Sequence, residues 1–212
     1  MARNRFDNLE PERQDAILAA AADEFAARGY AGASLNRIIE DAGISKGSLY
    51  YYFDDKEDLF VTVVQVAVER LLEEVGGLAV DELEASSYWE TVREVGLRSI
   101  DLMSRDVWYV RLAMAFPRLR HESEARDAVR PALEWGREFT RRLLERGRSL
   151  GVVRRDLPLD LLVAVTMAGD DAGDRWMMEH REEFDERGVA RLMEARIDLM
   201  RDMLDAKHEG WE

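Results

Sequence analysis

The chain has 212 residues, 47% of them hydrophobic and 35% charged, which is enough apolar material for a real core and enough charge for solubility. It has no cysteine, which excludes a disulfide framework and a thiolate site; no apolar run approaches the ~20 residues needed to span a bilayer, and the opening MARNRFDNLEPER lacks a signal peptide's apolar stretch, so a cytoplasmic protein is expected. The net charge of −14 argues only weakly against nucleic acid, because a duplex responds to local charge rather than to the total.

Helical periodicity runs nearly throughout, with no alternating strand pattern and no internal repeat. The expected fold class is all-α. A first helix covers roughly Glu10 to Arg28, with Ile17, Leu18, Ala21, Ala22 and Phe25 as its apolar stripe and Gly29 as its stop. Ser34 has the character of an N-cap for a short second helix. Leu35, Ile38, Ile39 and Ala42 fall at i, i+3, i+4 and i+7 of that helix, and Gly43 ends it. Ser45 caps a third helix from Lys46 to about Phe53, with Leu49 and Phe53 inward. The acidic stretch DDKED opens a fourth, from Asp55 to Val75, ending at Gly76 and Gly77. Further helices are expected from about Ser87 to Met103 and from Asp106 to Phe116, stopped by Pro117. A long helix that Pro131 either starts or kinks ends near Leu150. The last two run from about Pro158 to Glu179 and from Phe184 to Lys207.

Ser34 to Phe53 therefore has the form helix, glycine turn, helix. In such a helix-turn-helix the second helix enters the DNA major groove with its first turn toward the bases. Ser45, Lys46, Gly47 and Ser48 lie on that exposed turn. Gly47 costs about 1 kcal/mol of helix propensity relative to alanine, which a close backbone approach would explain. Lys46 and Ser48 can reach base edges or phosphates. Tyr50 and Tyr51 point away from the core face, and their hydroxyls can donate to phosphate oxygens. Tyr52, beside Phe53, is expected to pack partly inward against the first helix. Lys56 adds a positive charge beside a helix N-terminus, itself a ready anion site.

The stretch ILAAAADEFAARGYAGASLNRIIEDAGISKGSLYYYFDDKEDLF, Ile17 to Phe60, resembles the N-terminal DNA-binding domain of TetR-type transcriptional regulators. The elements FA-x-RGY, I-x-x-x-AGISKG-x-LYY-x-F and KE-x-L all stand in place. The resemblance implies a three-helix DNA-binding domain over residues 1–56 and a helical ligand-binding and dimerisation domain over 57–212. It also implies a repressor released from its operator by a small molecule. By residue it implies phosphate contacts at Tyr50, Tyr51 and Lys56, with Lys46, Gly47 and Ser48 near the bases beside Ser34, Asn36 and Arg37. Tyr52 stands where histidine is common in the family and Ile39 where a small residue is common; neither is on the proposed DNA face. Acids outnumber bases from Met1 to Glu57, yet Arg37, Lys46 and Lys56 gather on that face, and Arg3 and Arg5 are expected to form a disordered arm that could add phosphate or minor-groove contacts.

After about Val75 the motifs stop. Val189, Leu192, Met193, Arg196, Ile197, Met200 and Leu204 make one stripe on the last helix, and Gly169 and Gly173 allow close helix approach on the one before. These suit a homodimer interface, the alternative being an internal contact. A twofold partner would read a palindromic operator in double-stranded DNA. A pocket for an unknown effector is expected among Trp89, Trp108, Tyr109, Met114, Phe116, Trp135, Phe139, Met167 and Trp176, with ordinary core as the alternative. Asp170 and Asp174 share a face and could meet a cationic ligand, be solvated, or pair with arginines such as Arg175; solvation is the expected state of these two and of Asp171. No cofactor and no metal is expected. A carboxylate metal enzyme would want paired Glu-x-x-His, and His121, His180 and His208 offer none; Asp205 precedes His208 at that spacing, but singly. An enzyme is not expected, and a helical interaction protein is the remaining alternative.

Overall fold

The computed structural model describes residues 5–76 and 78–206, without the side chains of Met178, Arg181 and Glu186. Arg3, Gly77, Lys207 and His208 lie outside the described residues. Nine α-helices occur among those described. They are α1 (Pro11–Gly32), α2 (Leu35–Asp41), α3 (Lys46–Tyr52), α4 (Lys56–Val75), α5 (Tyr88–Met103), α6 (Trp108–Leu119), α7 (Arg126–Ser149), α8 (Leu159–Glu179) and α9 (Glu186–Leu204). Short 3-10 turns lie at Val80–Glu82, Ser123–Ala125 and Arg181–Glu183. No β-strand occurs among the described residues beyond one isolated bridge, Val153 to Asp205. No described helix is long and apolar enough to cross a membrane.

The helices form two compact units. One takes the chain up to Glu73 together with Arg105–Ala132; the other takes Glu74–Ser104 and the chain from Leu133. In the first, the α1 stripe of Ile17, Leu18, Ala21, Ala22 and Phe25 is buried as its spacing predicts. Ile38 of α2, Leu49 of α3, and Leu59, Phe60, Val63 and Val64 of α4 are buried in the same unit, where Phe25 meets the Phe60 ring edge-on at 4.7 Å. Burying each such large side chain stabilises by about 1.5–3 kcal/mol, so three short helices can hold a fixed arrangement.

Helix α6 joins this unit along α1. Trp108 Nε1 donates to Asp15 Oδ1 at 2.9 Å, Arg111 Nε pairs with Asp23 at 2.7 Å, and Arg118 Nη2 donates to the Ala26 carbonyl at 2.5 Å. Pro117, expected to stop α6, lies inside its last turn. A proline there forfeits only one late hydrogen bond. Pro131 lies inside α7, which starts at Arg126.

In the second unit the core gathers Leu83, Tyr88, Leu144, Val153, Leu162, Val163 and Leu204. Burial pushes the Tyr88 phenol well above its ordinary value, and its hydroxyl donates to the Leu143 carbonyl at 2.9 Å. Helix α9 is tied to α5 through Arg93, whose guanidinium reaches Asp198 at 2.5 Å and Glu194 at 3.7 Å.

Candidate nucleic-acid interface

The corner between α2 and α3 is built on Gly43, whose φ of 61° lies in the left-handed region that only glycine enters freely. Its N–H closes on Glu40 O at 3.1 Å and that of Ile44 on Ile39 O at 3.1 Å. Ile44 is buried behind the turn, and Leu49 and Phe53 anchor α3 from below. Ser45 accepts from the Ser48 N–H at 3.0 Å, and the two hydroxyls lie 2.8 Å apart, so the cap read from the sequence is present.

What remains of α3 faces outward. Lys46 and Gly47 are exposed, as is Asn36 on α2. Tyr50 and Tyr51 are 49% and 54% exposed, large fractions for phenol rings. A methyl group placed on Gly47 would meet nothing but the Ser45 hydroxyl at 3.8 Å. No crowding inside the chain therefore explains that glycine. The Lys46 ammonium lies 5.9 Å from the centre of the Tyr50 ring.

Several residues sit differently from expectation. Ser34 holds the N-cap position of α2, but its hydroxyl caps nothing; its N–H donates to Glu24 Oε1 at 2.8 Å. That carboxylate, only 7% exposed, also takes Arg37 at 2.6 Å. The Arg37 hydrogen bond, helped by that of Ser34 and opposed by burial, holds the Glu24 carboxyl below its usual range. Arg37 is thus a neutralised strut beside the face. Tyr52 is half-buried and meets two rings edge-on, Tyr51 at 5.5 Å and Phe6, ahead of α1, at 6.4 Å. Phe6 is itself buried on Phe53 at 5.0 Å. Arg5, expected in a disordered arm, is held with its guanidinium 4.5 Å from the Tyr51 ring centre. Sequence periodicity missed both because a lone aromatic before a helix has no period.

Lys56 is turned toward the chain. Its ammonium donates to the carbonyls of Ala31 at 3.1 Å and Ala33 at 3.2 Å, over the Tyr30 ring. At the neighbouring N-terminus of α4, Asp55 accepts from the Asp58 N–H at 2.9 Å, and Asp58 accepts from the Asp54 N–H at 3.0 Å, so carboxylates of the chain already stand at that helix start. At the other end of the Tyr30–Ala33 segment, Glu122 Oε2 accepts from the N–H groups of Tyr30 at 2.8 Å and Ala31 at 3.3 Å. Gly29 permits this: its φ is 74°, and a β-carbon there would lie 2.4 Å from Glu122 Oε1.

The residues expected around an effector are divided between the units. Trp108 is buried in the first unit as an anchor of α6, with Arg70 also over its ring at 5.2 Å; Met114 is exposed in the same unit. In the second, Trp135 is exposed and stacks on Phe139 at 5.5 Å, and Met167 packs partly buried against the core. Trp176 is exposed and stacks on His180 at 4.2 Å. The aspartates expected to be solvated are partly so, and each also lies beside an arginine, the alternative the sequence offered. Asp174 meets Arg196 at 3.1 Å, Asp170 meets it at 3.7 Å, and Asp171 meets Arg175 at 2.9 Å. Such exposed pairs, four residues apart or across two packed helices, contribute little to stability.

Of the residues read as a dimer stripe, several already touch their own chain. Gly169 lies against Met200, Gly173 against Arg196, and Ile197 against Gly96 of α5. Met193 Sδ accepts from Arg196 Nη1 at 3.4 Å. Val189 and Leu192 are half-buried. The exposed apolar side chains nearby are others. Leu161, Val165, Ala168, Ala172 and Trp176 follow one face of α8, and Leu199 on α9 is 67% exposed.

Comparison with known proteins bears on this surface. Residues 17–63 match the family of bacterial regulatory proteins described as the tetR family. Over 166 residues the chain is 30% identical to the HTH-type transcriptional repressor AcnR of Corynebacterium glutamicum, covering 74% of this chain and 76% of that protein. Among solved structures, the fatty acid degradation regulator FadR from Bacillus halodurans has a TM-score of 0.73 at 20% identity, covering 92% of this chain and 96% of that one. FadR from Bacillus subtilis, solved with stearoyl-CoA, has a TM-score of 0.67 at 20% identity, covering 87% of this chain and 96% of that one.

Proposed function

The chain belongs to the tetR family of bacterial regulatory proteins and is a DNA-binding transcriptional regulator; from that premise we propose that it acts as a homodimeric repressor released from a palindromic operator by a small-molecule effector. The observation that carries the reading is the outward face of α3: Lys46, Gly47, Tyr50 and Tyr51 exposed above a corner that Leu49, Phe53 and Ile44 hold rigid. Lys46 and Ser48 read base edges, Gly47 admits the groove wall, and Tyr50 and Tyr51 grip phosphates. Lys56 reaches a phosphate by exchanging one of its two carbonyl partners for it. Arg37 acts mainly by fixing α2.

The exposed stripe of α8 with Leu199 of α9 supplies the surface that pairs with a second copy. Two copies place two recognition helices about 34–36 Å apart, one turn of the duplex. The effector binds in the unit containing α8 and favours a state with another spacing. Changing operator occupancy a hundredfold needs roughly 2.7 kcal/mol of differential binding. A cytoplasmic location suits a protein that must meet the chromosome.

The test is binding to a duplex enriched from a random pool and to a scrambled duplex. Tyr51→Phe and Lys56→Ala should weaken both alike, whereas Ser48→Ala should change which sequence is preferred. A Lys56→Ala loss confined to the enriched duplex would contradict the phosphate assignment, and failure of the wild-type protein to bind any duplex at low salt would end the DNA reading.

A further inference from the structure

Resting on the DNA-binding reading, we propose that Arg5 and Tyr51 of each subunit together hold one DNA phosphate, making the segment ahead of α1 part of the recognition surface. Three observations carry this. First, Arg5 does not sit on a free arm. Phe6 next to it is buried against Phe53 at 5.0 Å and meets Tyr52 at 6.4 Å. The following turn closes through Leu9 N to Phe6 O at 3.0 Å, and Gln14 Nε2 of α1 donates to the carbonyls of Asp7 and Leu9 at 3.1 and 2.9 Å. The backbone of residue 5 is thereby fixed beside α3.

Second, the guanidinium is placed on the Tyr51 ring, 4.5 Å from its centre, while Tyr52 meets the same ring edge-on at 5.5 Å. The phenol ring is thus held between two neighbours before DNA arrives. Third, both side chains are exposed, and among the described residues Arg5 makes no ion pair. A cation resting on a ring keeps its full charge, whereas one resting on a carboxylate does not. A guanidinium with five donors beside a phenol O–H is a donor set matched to phosphate oxygens. Neither group reads a base from this position, so the contact is indifferent to sequence.

The experiment is a salt titration of the full-length protein on a duplex enriched from a random pool and on a scrambled duplex. Wild-type affinity should fall steeply with salt. Arg5→Ala should flatten the log–log slope by about 0.9 per subunit, hence by about 1.8 for a dimer, equally on both duplexes. Arg5→Lys should keep most of the slope because it keeps the charge. Arg5→Ala with Tyr51→Phe should cost less than the two losses combined, because both act on one phosphate. A slope unchanged in Arg5→Ala would overturn the proposal, leaving Arg5 as a wedge for Tyr51. So would a loss confined to the enriched duplex, which would assign Arg5 to a base, or strictly additive losses. A wild-type protein that binds no duplex would defeat the underlying reading instead, so the two failures are distinguishable.

Discussion

Replacing Gly47 with alanine separates folding from recognition in one step. Gly47 lies in the first turn of α3, with a φ that is not positive and open space where a β-carbon would go. Alanine there removes the entropic cost of glycine, roughly 0.5–1 kcal/mol, with the lower end apt for a helix terminus. For a chain of this size that is a rise in Tm of about 1–4 °C. The same methyl group stands where the groove wall must come. If the backbone approaches DNA at Gly47, affinity should fall at least tenfold, which is about 1.4 kcal/mol. Calorimetry reads the first number and fluorescence anisotropy on a labelled enriched duplex reads the second. Stability up with binding down is the expected pair. Gly47→Ala binding as tightly as wild type would refute the argument, because the glycine would then have no partner inside or outside the chain.

Glu24→Gln should lower stability at neutral pH and flatten its acid dependence. The Glu24 carboxyl is held below its usual range, so its contribution is present above the unfolded value and lost as pH falls through the folded one; urea melts between about pH 3 and 6 would show the two curves converging at the acid end. Leu199→Glu should leave the fold intact, since the side chain is 67% exposed in the single chain, and should shift sedimentation from dimer to monomer with loss of operator binding. A Leu199→Glu protein that stays dimeric would place the interface elsewhere. Glu122→Ala removes the acceptor for the Tyr30 and Ala31 N–H groups and should cost about 1–2 kcal/mol, read as faster amide exchange at those two positions.

How much of this was legible depends on whether the signal was local. Leu35 to Ala42 and Leu49 to Phe53 announced two helices because burial follows a period, although only Ile38 of the first stripe is fully buried, and the Gly43 corner and Ser45 cap follow from chemistry within three residues. Glu24 gave no such sign. A carboxylate in an apolar stripe reads as an interruption until Arg37, thirteen positions on, is seen to reach it. Glu122, about ninety residues from its partners, was further out of reach. The roles of Gly169 and Gly173 were half legible. Their spacing demanded a close neighbour, and only coordinates show that Met200 and Arg196 of the same chain fill that place.

Those long-range carboxylates also explain how a chain of net charge −14 can present a surface for a polyanion. Several arginines are paired with acids: Arg37 with Glu24 beside the face, and farther off Arg111 with Asp23, Arg93 with Asp198 and Arg196 with Asp174. Around α3 the cations rest on tyrosine rings instead: Arg5 on Tyr51, Lys46 on Tyr50, Lys56 on Tyr30. A ring holds a cation in place with a quadrupole, which does not cancel its charge, while a carboxylate does cancel it. Local potential, and not the total, decides what a phosphate meets within the ~8 Å over which salt leaves charges visible. On the proposed reading Tyr50 and Tyr51 therefore act twice, donating through their hydroxyls and seating Lys46 and Arg5 beside them.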